Sequence, residues 1–419
     1  MRRTLIVTLM VGSLLATSAG TAFGAQWVQF RYDAAQSGIN PDETAITVAN
    51  ADTWQVDWEL YPTPTRRYTT APIVTEDAVI VGGSKIGTNG LPRATIWSFD
   101  IATGSVNWVR PLTCTRVKAP SMALSQGRSP NLVIATLTGC GPTFPGDRVA
   151  FVNVTSGTHD WTNTLTGNVG PPTLDGSKVV LNNAGEIAVI DIGSGPRIVS
   201  DIVFINEAFQ SSGTKEPWPV IGSDVYTDES SLGGPAVSNG VVVTNSREVR
   251  TYSLADGSLT ALYSCGEEVL ACAIDQTTHE VLWTKPPSEL LSSMLVVGDV
   301  VYHVCDATGT GLPEETLCAF DLQTGSPLWI GEGDDLLALG QSRGWRPIYA
   351  GGIVFVGGFD TVSGESAVVG FDAATGDVVT TQVDGTPWGD YYNPGGKYMA
   401  VVNGLLVTAV PAIRVTSFG

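Results

Sequence analysis

The chain has 419 residues, 43% of them hydrophobic and 15% charged, with 48 glycines, 24 prolines and a formal net charge of −19. This mixture excludes a disordered chain and fits a folded, turn-rich β protein. A surface of that sign repels phosphate backbones and anionic lipids, which argues against nucleic-acid and membrane partners.

Met1 to Gly24 reads as a secretory signal peptide. Arg2 and Arg3 supply the basic region, Leu5 to Leu15 the apolar core, and Ala22-Phe23-Gly24 a small-x-small cleavage site. The apolar core is too short to span a bilayer, and no later stretch reaches the roughly 20 apolar residues a spanning helix needs. The expected location is therefore secreted, extracellular or periplasmic. In such a compartment six cysteines predict three disulfides, and short-range pairing gives Cys114–Cys140, Cys265–Cys272 and Cys305–Cys318. No pair has C-x-x-C spacing and there are only three histidines, so zinc is not indicated.

From about residue 71 the chain repeats. Ala71-Pro72-Ile73-Val74 turns at Glu76-Asp77 into Ala78-Val79-Ile80-Val81. Similar short hairpins turn at Asn239-Gly240, Gly298-Asp299 and Gly351-Gly352. After each comes a second hairpin whose fullest copy is Ala319-Phe320-Asp321-Leu322-Gln323-Thr324-Gly325-Ser326-Pro327-Leu328-Trp329. An acidic or polar residue opens its turn, Gly closes it in the left-handed conformation, and an aromatic anchor follows on the return strand. Copies open at Asp100, Asn153, Asp191, Ser253, Asp275, Asp321 and Asp372, with anchors eight positions later at Trp108, Trp161, Val199, Ala261, Trp283, Trp329 and Thr380.

Two hairpins of this size make a four-stranded blade, so the predicted fold is an all-β propeller of antiparallel blades. Ser253 and Asp275 lie too close together for a blade of their own, and the interval reads as an extra hairpin inside one blade. Six blades remain. The chain ends supply a seventh: Phe418-Gly419 matches Phe320-Asp321, and the outer strand comes from Trp54-Gln55-Val56-Asp57-Trp58. The expectation is seven blades, with eight as the alternative. Its division is a leader at 1–24, a lead-in at 25–50 and one propeller domain at 51–419.

The Ala-x-Asp-x-x-Thr-Gly-x-x-x-Trp pattern of Ala319 to Trp329 resembles the pyrroloquinoline-quinone-type β-propeller repeat. Trp27 to Asp33 and Ser37 to Pro41 are similar to the lead-in of secreted bacterial members. The resemblance implies the fold over nearly the whole mature chain. For function it points both to quinoprotein dehydrogenases and to cofactor-free scaffolds. The dehydrogenases carry an adjacent cysteine pair beside the quinone and hold calcium or a lanthanide with Glu, Asn and Asp. This sequence has no adjacent cysteines and no C-x-x-C-H haem site.

Blade topology puts the two hairpin turns on one face and the longer connections on the other, where variable loops on a rigid scaffold favour function. Three clusters fall among those connections: Arg66, Arg67 and Tyr68; then Glu216, Trp218, Asp224, Tyr226 and Asp228 within a connection at about 203–233; then Arg343, Trp345 and Arg346 with Trp388, Asp390, Tyr391, Tyr392 and Asn393. Aromatics interleaved with carboxylates and arginines suit sugars, peptides or small polar ligands. Glu314-Glu315 and Asp334-Asp335 lack the spacing of a calcium loop, and no nucleophile, zinc-protease or phosphate-loop motif is present. No catalytic residue, metal or cofactor is expected, quinone with calcium being the alternative. The reading is a monomeric binding or scaffold propeller, with a quinone-dependent oxidoreductase or a carbohydrate-active hydrolase or lyase as alternatives.

Overall fold

The computed structural model describes residues 26–419 except 30, 62, 64–65, 69, 89, 116–120, 126–130, 138–146, 166–168, 184–185, 194–201, 206–217, 229–233, 267–270, 286–293, 307–314, 332–336, 339–346, 361–364, 388–397 and 410–411. The leader lies outside these residues. Runs of Val, Ile and Ala bounded by Gly, Asn and Asp turns form antiparallel sheets that group into eight blades.

Blade 1 holds Ile73–Val74, Ala78–Ile86, Pro92–Asp100 and Val106–Thr115, with Arg66–Tyr68 continuing the inner strand along Gly83 to Lys85. Blade 2 spans Ser121–Leu124 to His159–Leu165, and blade 3 Val169–Asp175 to Ile202–Ile205. Blade 6 runs from Leu295–Val297 to Pro327–Ile330, and blade 7 from Leu337–Ala338 and Ile348–Ala350 to Val378–Pro387. Blade 8 joins Tyr398–Val402, Leu405–Ala409 and Ile413–Phe418 to the N-terminal strand Trp54–Leu60, which contains the expected outer strand Trp54 to Trp58; Trp54 lies opposite Phe418. Arg414 and Glu59 face each other across this closure, with Nη2 and Oε1 2.8 Å apart.

Blades 4 and 5 exchange halves, and this corrects the count of seven. The inner hairpin of blade 4, Val220–Ile221 and Asp224–Asp228, is followed in sequence by the inner hairpin of blade 5, Ala236–Ser238 and Val241–Thr244. Only then come the outer hairpin of blade 4, Glu248–Ser253 and Leu259–Ser264, and that of blade 5, Ala271–Asp275 and Val281–Lys285. Asp224 pairs with Ser253 and Val241 with Asp275, so each half skips one hairpin to find its partner. The short interval from Ser253 to Asp275 therefore contains two outer hairpins of different blades. The connection expected at 203–233 likewise holds an outer strand and an inner hairpin. In blade 3 the return strand begins at Ile202 rather than near Val199, because Ile190 pairs with Ile202.

The tryptophan anchors join one blade to the next. Trp58, Trp108, Trp283 and Trp329 each donate the indole N–H to a carbonyl in the following blade's turn: Ile101, Val154, Leu322 and Ala373, at 2.7 to 3.1 Å. The ring lies on that turn's glycine. A Cβ added to Gly104, Gly157, Gly325 or Gly376 would fall 2.6 to 2.8 Å from a ring atom, and all four have positive φ. Asp or Asn shapes the turn from within, Asp321 Oδ1 accepting from Thr324 N at 2.7 Å and Thr324 Oγ1 at 2.8 Å. Those bonds hold the Asp321 carboxyl below its ordinary range.

Two of the expected disulfides are present, Cys265–Cys272 and Cys305–Cys318, each with Cα atoms 5.9 Å apart. The first links the outer strand side of blade 4 to blade 5, and the second bridges neighbouring strands of blade 6. Cys114–Cys140 falls outside the described side chains.

Two glycine substitutions separate conformational cost from contact. Gly176 has φ +55° with no atom within 4 Å of an added Cβ, whereas Gly157 has φ +64° and the Trp108 ring beneath it. Gly176→Ala is expected to cost about 1–2 kcal/mol, the price of a left-handed Ala. Gly157→Ala adds an overpacking cost of about 1–3 kcal/mol. Urea unfolding of both variants reads the difference, and equal midpoints would show that the indole contact is loose.

Candidate functional site

The lead-in runs across the axial mouth on the tight-turn face and bonds to the inner-strand regions of seven blades. Trp27 exchanges two backbone hydrogen bonds with Val74 of blade 1, and Val28 O accepts from Leu124 N of blade 2. Gln29 clamps Leu174 of blade 3, its Nε2 donating to the carbonyl at 3.1 Å and its Oε1 accepting from N–H at 2.9 Å. Ala34 O accepts from Val220 N of blade 4, and Arg31 Nη2 donates to Met294 O, beside blade 6, at 2.8 Å. Gly38 and Asn40 bond to Tyr349 of blade 7, and Asn40 Nδ2 donates to Val401 O of blade 8 at 2.6 Å. Glu43 Oε2 accepts from Gly404 N, and the Ile46 carbonyl rests where a Cβ on Gly351 would stand.

This segment is strained and polar. Arg31, Tyr32 and Gln36 have φ of 54°, 77° and 55°, an unfavourable region for side-chain-bearing residues. Many contacts fix them in place. Complete burial lowers the Arg31 pKa to about 10, an effect that neighbouring Asp33 opposes. Burial raises Asp33, against two hydrogen bonds from Ser37. Between the lead-in and blades 2 and 3 lies a cleft of about 270 Å³ lined by Gln29, Tyr32, Asp33, Leu124, Leu174 and Asp175, among others. The sequence had marked this stretch only by its family resemblance; its signal was the density of Gln, Asn, Arg and Glu in a short segment.

The proposed ligand residues separate into different places. Arg66 and Tyr68 sit at the long-loop end of blade 1's inner strand, with Arg66 Nη1 donating to Tyr68 Oη at 2.9 Å. Tyr68 is otherwise buried, edge-on to Trp97 at 5.3 Å. Arg67 lies on the same strand, its side chain outside the described ones. Trp218 is buried against Val180, Val189 and Val220. Asp224 flanks the tight turn of blade 4 at Gly222-Ser223, on the face opposite to that expected. Tyr226 is buried between blades 4 and 5 and accepts a hydrogen bond from Gln276, burial pushing its pKa up to about 12. Arg343, Trp345, Arg346, Trp388, Asp390, Tyr391 and Tyr392 lie outside the described residues, as do Glu216 and Asn393; for Asp228 only the strand is described.

A buried histidine lies in blade 6. His303 is 1% exposed, stacks on Phe320 at 4.9 Å, and stands opposite the disulfide residue Cys318. Its Nδ1 is 3.0 Å from the Val304 carbonyl and so carries the proton, leaving Nε2 without a partner. Desolvation lowers its pKa to about 4.

The eight blades, the indole-on-glycine joints and the Asp-x-x-Thr-Gly turns define a pyrroloquinoline-quinone-type β-propeller. A family model described as outer membrane protein assembly factor BamB matches residues 34–200 and 218–389, more than half of the chain, and the chain belongs to that family. Solved structures with the same fold share little sequence. BamB from Moraxella catarrhalis is 15% identical, covering 86% of this chain and 100% of its own, with a TM-score of 0.52. Quinohemoprotein alcohol dehydrogenase from Comamonas testosteroni is 13% identical, covering 96% and 81%, with a TM-score of 0.62. The computationally designed Ika8 protein is 12% identical, covering 87% and 99%, at 0.55. No curated protein sequence matches this chain.

The dehydrogenase likeness raises the question of a quinone and calcium. Among the described residues no three His, Cys, Asp or Glu side chains converge on a metal position. The described cysteine pairs are 7 and 13 residues apart in sequence rather than adjacent. The described residues assemble no donor set of that kind.

His303 predicts an acid-side loss of stability. Its folded pKa of about 4 lies below the ordinary 6.5, so the unfolded chain takes up the proton first as pH falls. The native state should lose stability progressively from about pH 6.5 towards pH 4. His303→Phe should flatten that part of the profile of Tm against pH; an unchanged slope would remove His303 as its source.

Proposed function

We propose that the protein is a secreted, monomeric binding or scaffold propeller that acts through its long-loop face on a protein or a polar, carbohydrate-like ligand. The observation that supports this most is the axial lead-in. Its bonds to seven blades occupy the tight-turn mouth with the chain's own polar groups. Apart from the connection 125–131 of blade 2, the turns around that mouth are two or three residues long, and most of the longer connections lie on the opposite face. A rigid ring with one elaborated face is the usual arrangement for recognition. The family description, an assembly factor, agrees with a binding role.

In this reading Trp218 and Tyr226 serve packing, consistent with their burial. Tyr68, 1% exposed, serves packing as well, and ligand contacts fall to Arg66 and Arg67 and to the aromatic and arginine residues at 343–346 and 388–392. Disulfides fit export to an oxidising compartment.

Calorimetric titration of the mature protein with oligosaccharide and peptide panels should find a ligand whose binding Trp388→Ala and Arg346→Ala weaken by tenfold or more, about 1.4 kcal/mol, at unchanged Tm. Dye-linked turnover of alcohols or sugars after addition of pyrroloquinoline quinone and calcium would overturn the scaffold reading.

A further inference from the structure

We infer that the outer edge of blade 4, the strand Leu259–Ser264, is a docking edge that accepts an extended apolar peptide with basic flanks as a fifth strand. The inference is independent of the long-loop face.

The fourth strand of every blade leaves one row of backbone N–H and C=O groups unpaired, a template for another strand. Natural sheets blunt such edges with charge, proline or shortness. In this ring most outer strands follow that rule. Blade 8 has Asp57 and Glu59, blade 1 Arg110 and Pro111, blade 2 Asp160, blade 5 Lys285, blade 6 Pro327, and blade 7 Asp384 and Pro387. The outer strand of blade 3 is only four residues long. Blade 4 departs from it: Leu-Thr-Ala-Leu-Tyr-Ser runs six residues without charge or proline.

The apolar side chains are presented together. A bulge between Thr251 and Tyr252 sets Leu259 opposite Tyr252 and Leu262 opposite Arg250. Tyr252 and Arg250 share a face, so both leucines do too. They are 55% and 46% exposed. The strand is also held in place. Tyr263 is buried and packs on His279 at 4.8 Å, Cys265 N donates to Arg247 O, and Cys265 is tied to Cys272. A fixed edge lowers the ordering cost of adding a strand.

Charge selects the occupant. Asp256 precedes the strand, Glu267 and Glu268 follow it in sequence, and the chain carries −19 overall. A second copy would bring the same acids to the edge and be repelled. Lysine or arginine on either side of an apolar segment is complementary.

The test uses the mature protein and a fluorescein-labelled decapeptide of alternating valine and threonine flanked by lysine pairs. Anisotropy should report binding that Leu262→Lys weakens by tenfold or more. Val109→Lys, on the outer strand of blade 1, should leave it unchanged. Hydrogen exchange should show the amides of Leu259–Ser264 protected by the peptide, and added salt should weaken the complex. No binding, or equal loss in the two variants, overturns the proposal. So does a concentration-dependent dimer that Leu262→Lys abolishes, because the edge would then serve a second copy.

Discussion

An indole face resting on a glycine is the contact that turns separate blades into a ring. Each blade buries apolar residues on both faces, so it is stable only when neighbours cover it. The tryptophan fixes how they sit. Its N–H finds a backbone carbonyl in the next turn, which satisfies the polar handle, while the ring removes apolar area from water. The glycine serves twice, because the turn requires positive φ and the ring leaves no room for a side chain. The Asp at the start of the turn holds the loop ready for both.

The ring lacks this joint at some interfaces, and there other devices take over. At blades 4 and 5 the anchor position is Ala261, and the turn it would meet has His279, with φ 61°, in place of glycine. Without an incoming indole a side chain is sterically tolerated, and His279 packs on Tyr263 instead. The same interface carries the exchanged hairpins and the Cys265–Cys272 bond. At blades 7 and 8 the anchor is Thr380, and polar groups line the seam. Arg414 pairs with Glu59 and donates to Val383 O of blade 7, while Thr380 Oγ1, Gln382 Nε2 and Thr416 Oγ1 are buried without protein partners. Buried polar atoms of that kind commonly hold ordered water. A pairing of Arg with carboxylate across the closing strand adds register where packing is least selective.

Local chemistry was legible in the sequence and long-range pairing was not. The turns at Asp100, Asp321 and Asp372, their anchors, and the closing of the last blade by the stretch from Trp54 to Trp58 all follow from period-two apolar runs and turn residues. The count of seven failed because it assumed that consecutive hairpins share a blade. Nothing local distinguishes the hairpin at Asn239-Gly240, which pairs with Ala271–Asp275, from one that would pair with Glu248–Ser253. Strand 202–205 escaped because its turn is longer than the repeat's. In the candidate site, residue type alone could not separate Tyr226, which is buried between blades, from an exposed aromatic.

The lead-in shows a further limit and a constraint on function. Its residues have no periodicity, because each one answers a different blade rather than a neighbour in sequence. The bonds are mostly between backbone groups or from Gln, Asn and Arg to carbonyls, so they satisfy inner-strand atoms that would otherwise face the axis. Three residues with positive φ cost of order 1–3 kcal/mol each, and they persist only because seven blades hold the segment at once. Such a segment cannot leave one blade without loosening several. The tight-turn mouth is thereby a structural closure of the ring, and the opposite face, free of that duty, is where loop length and composition can vary.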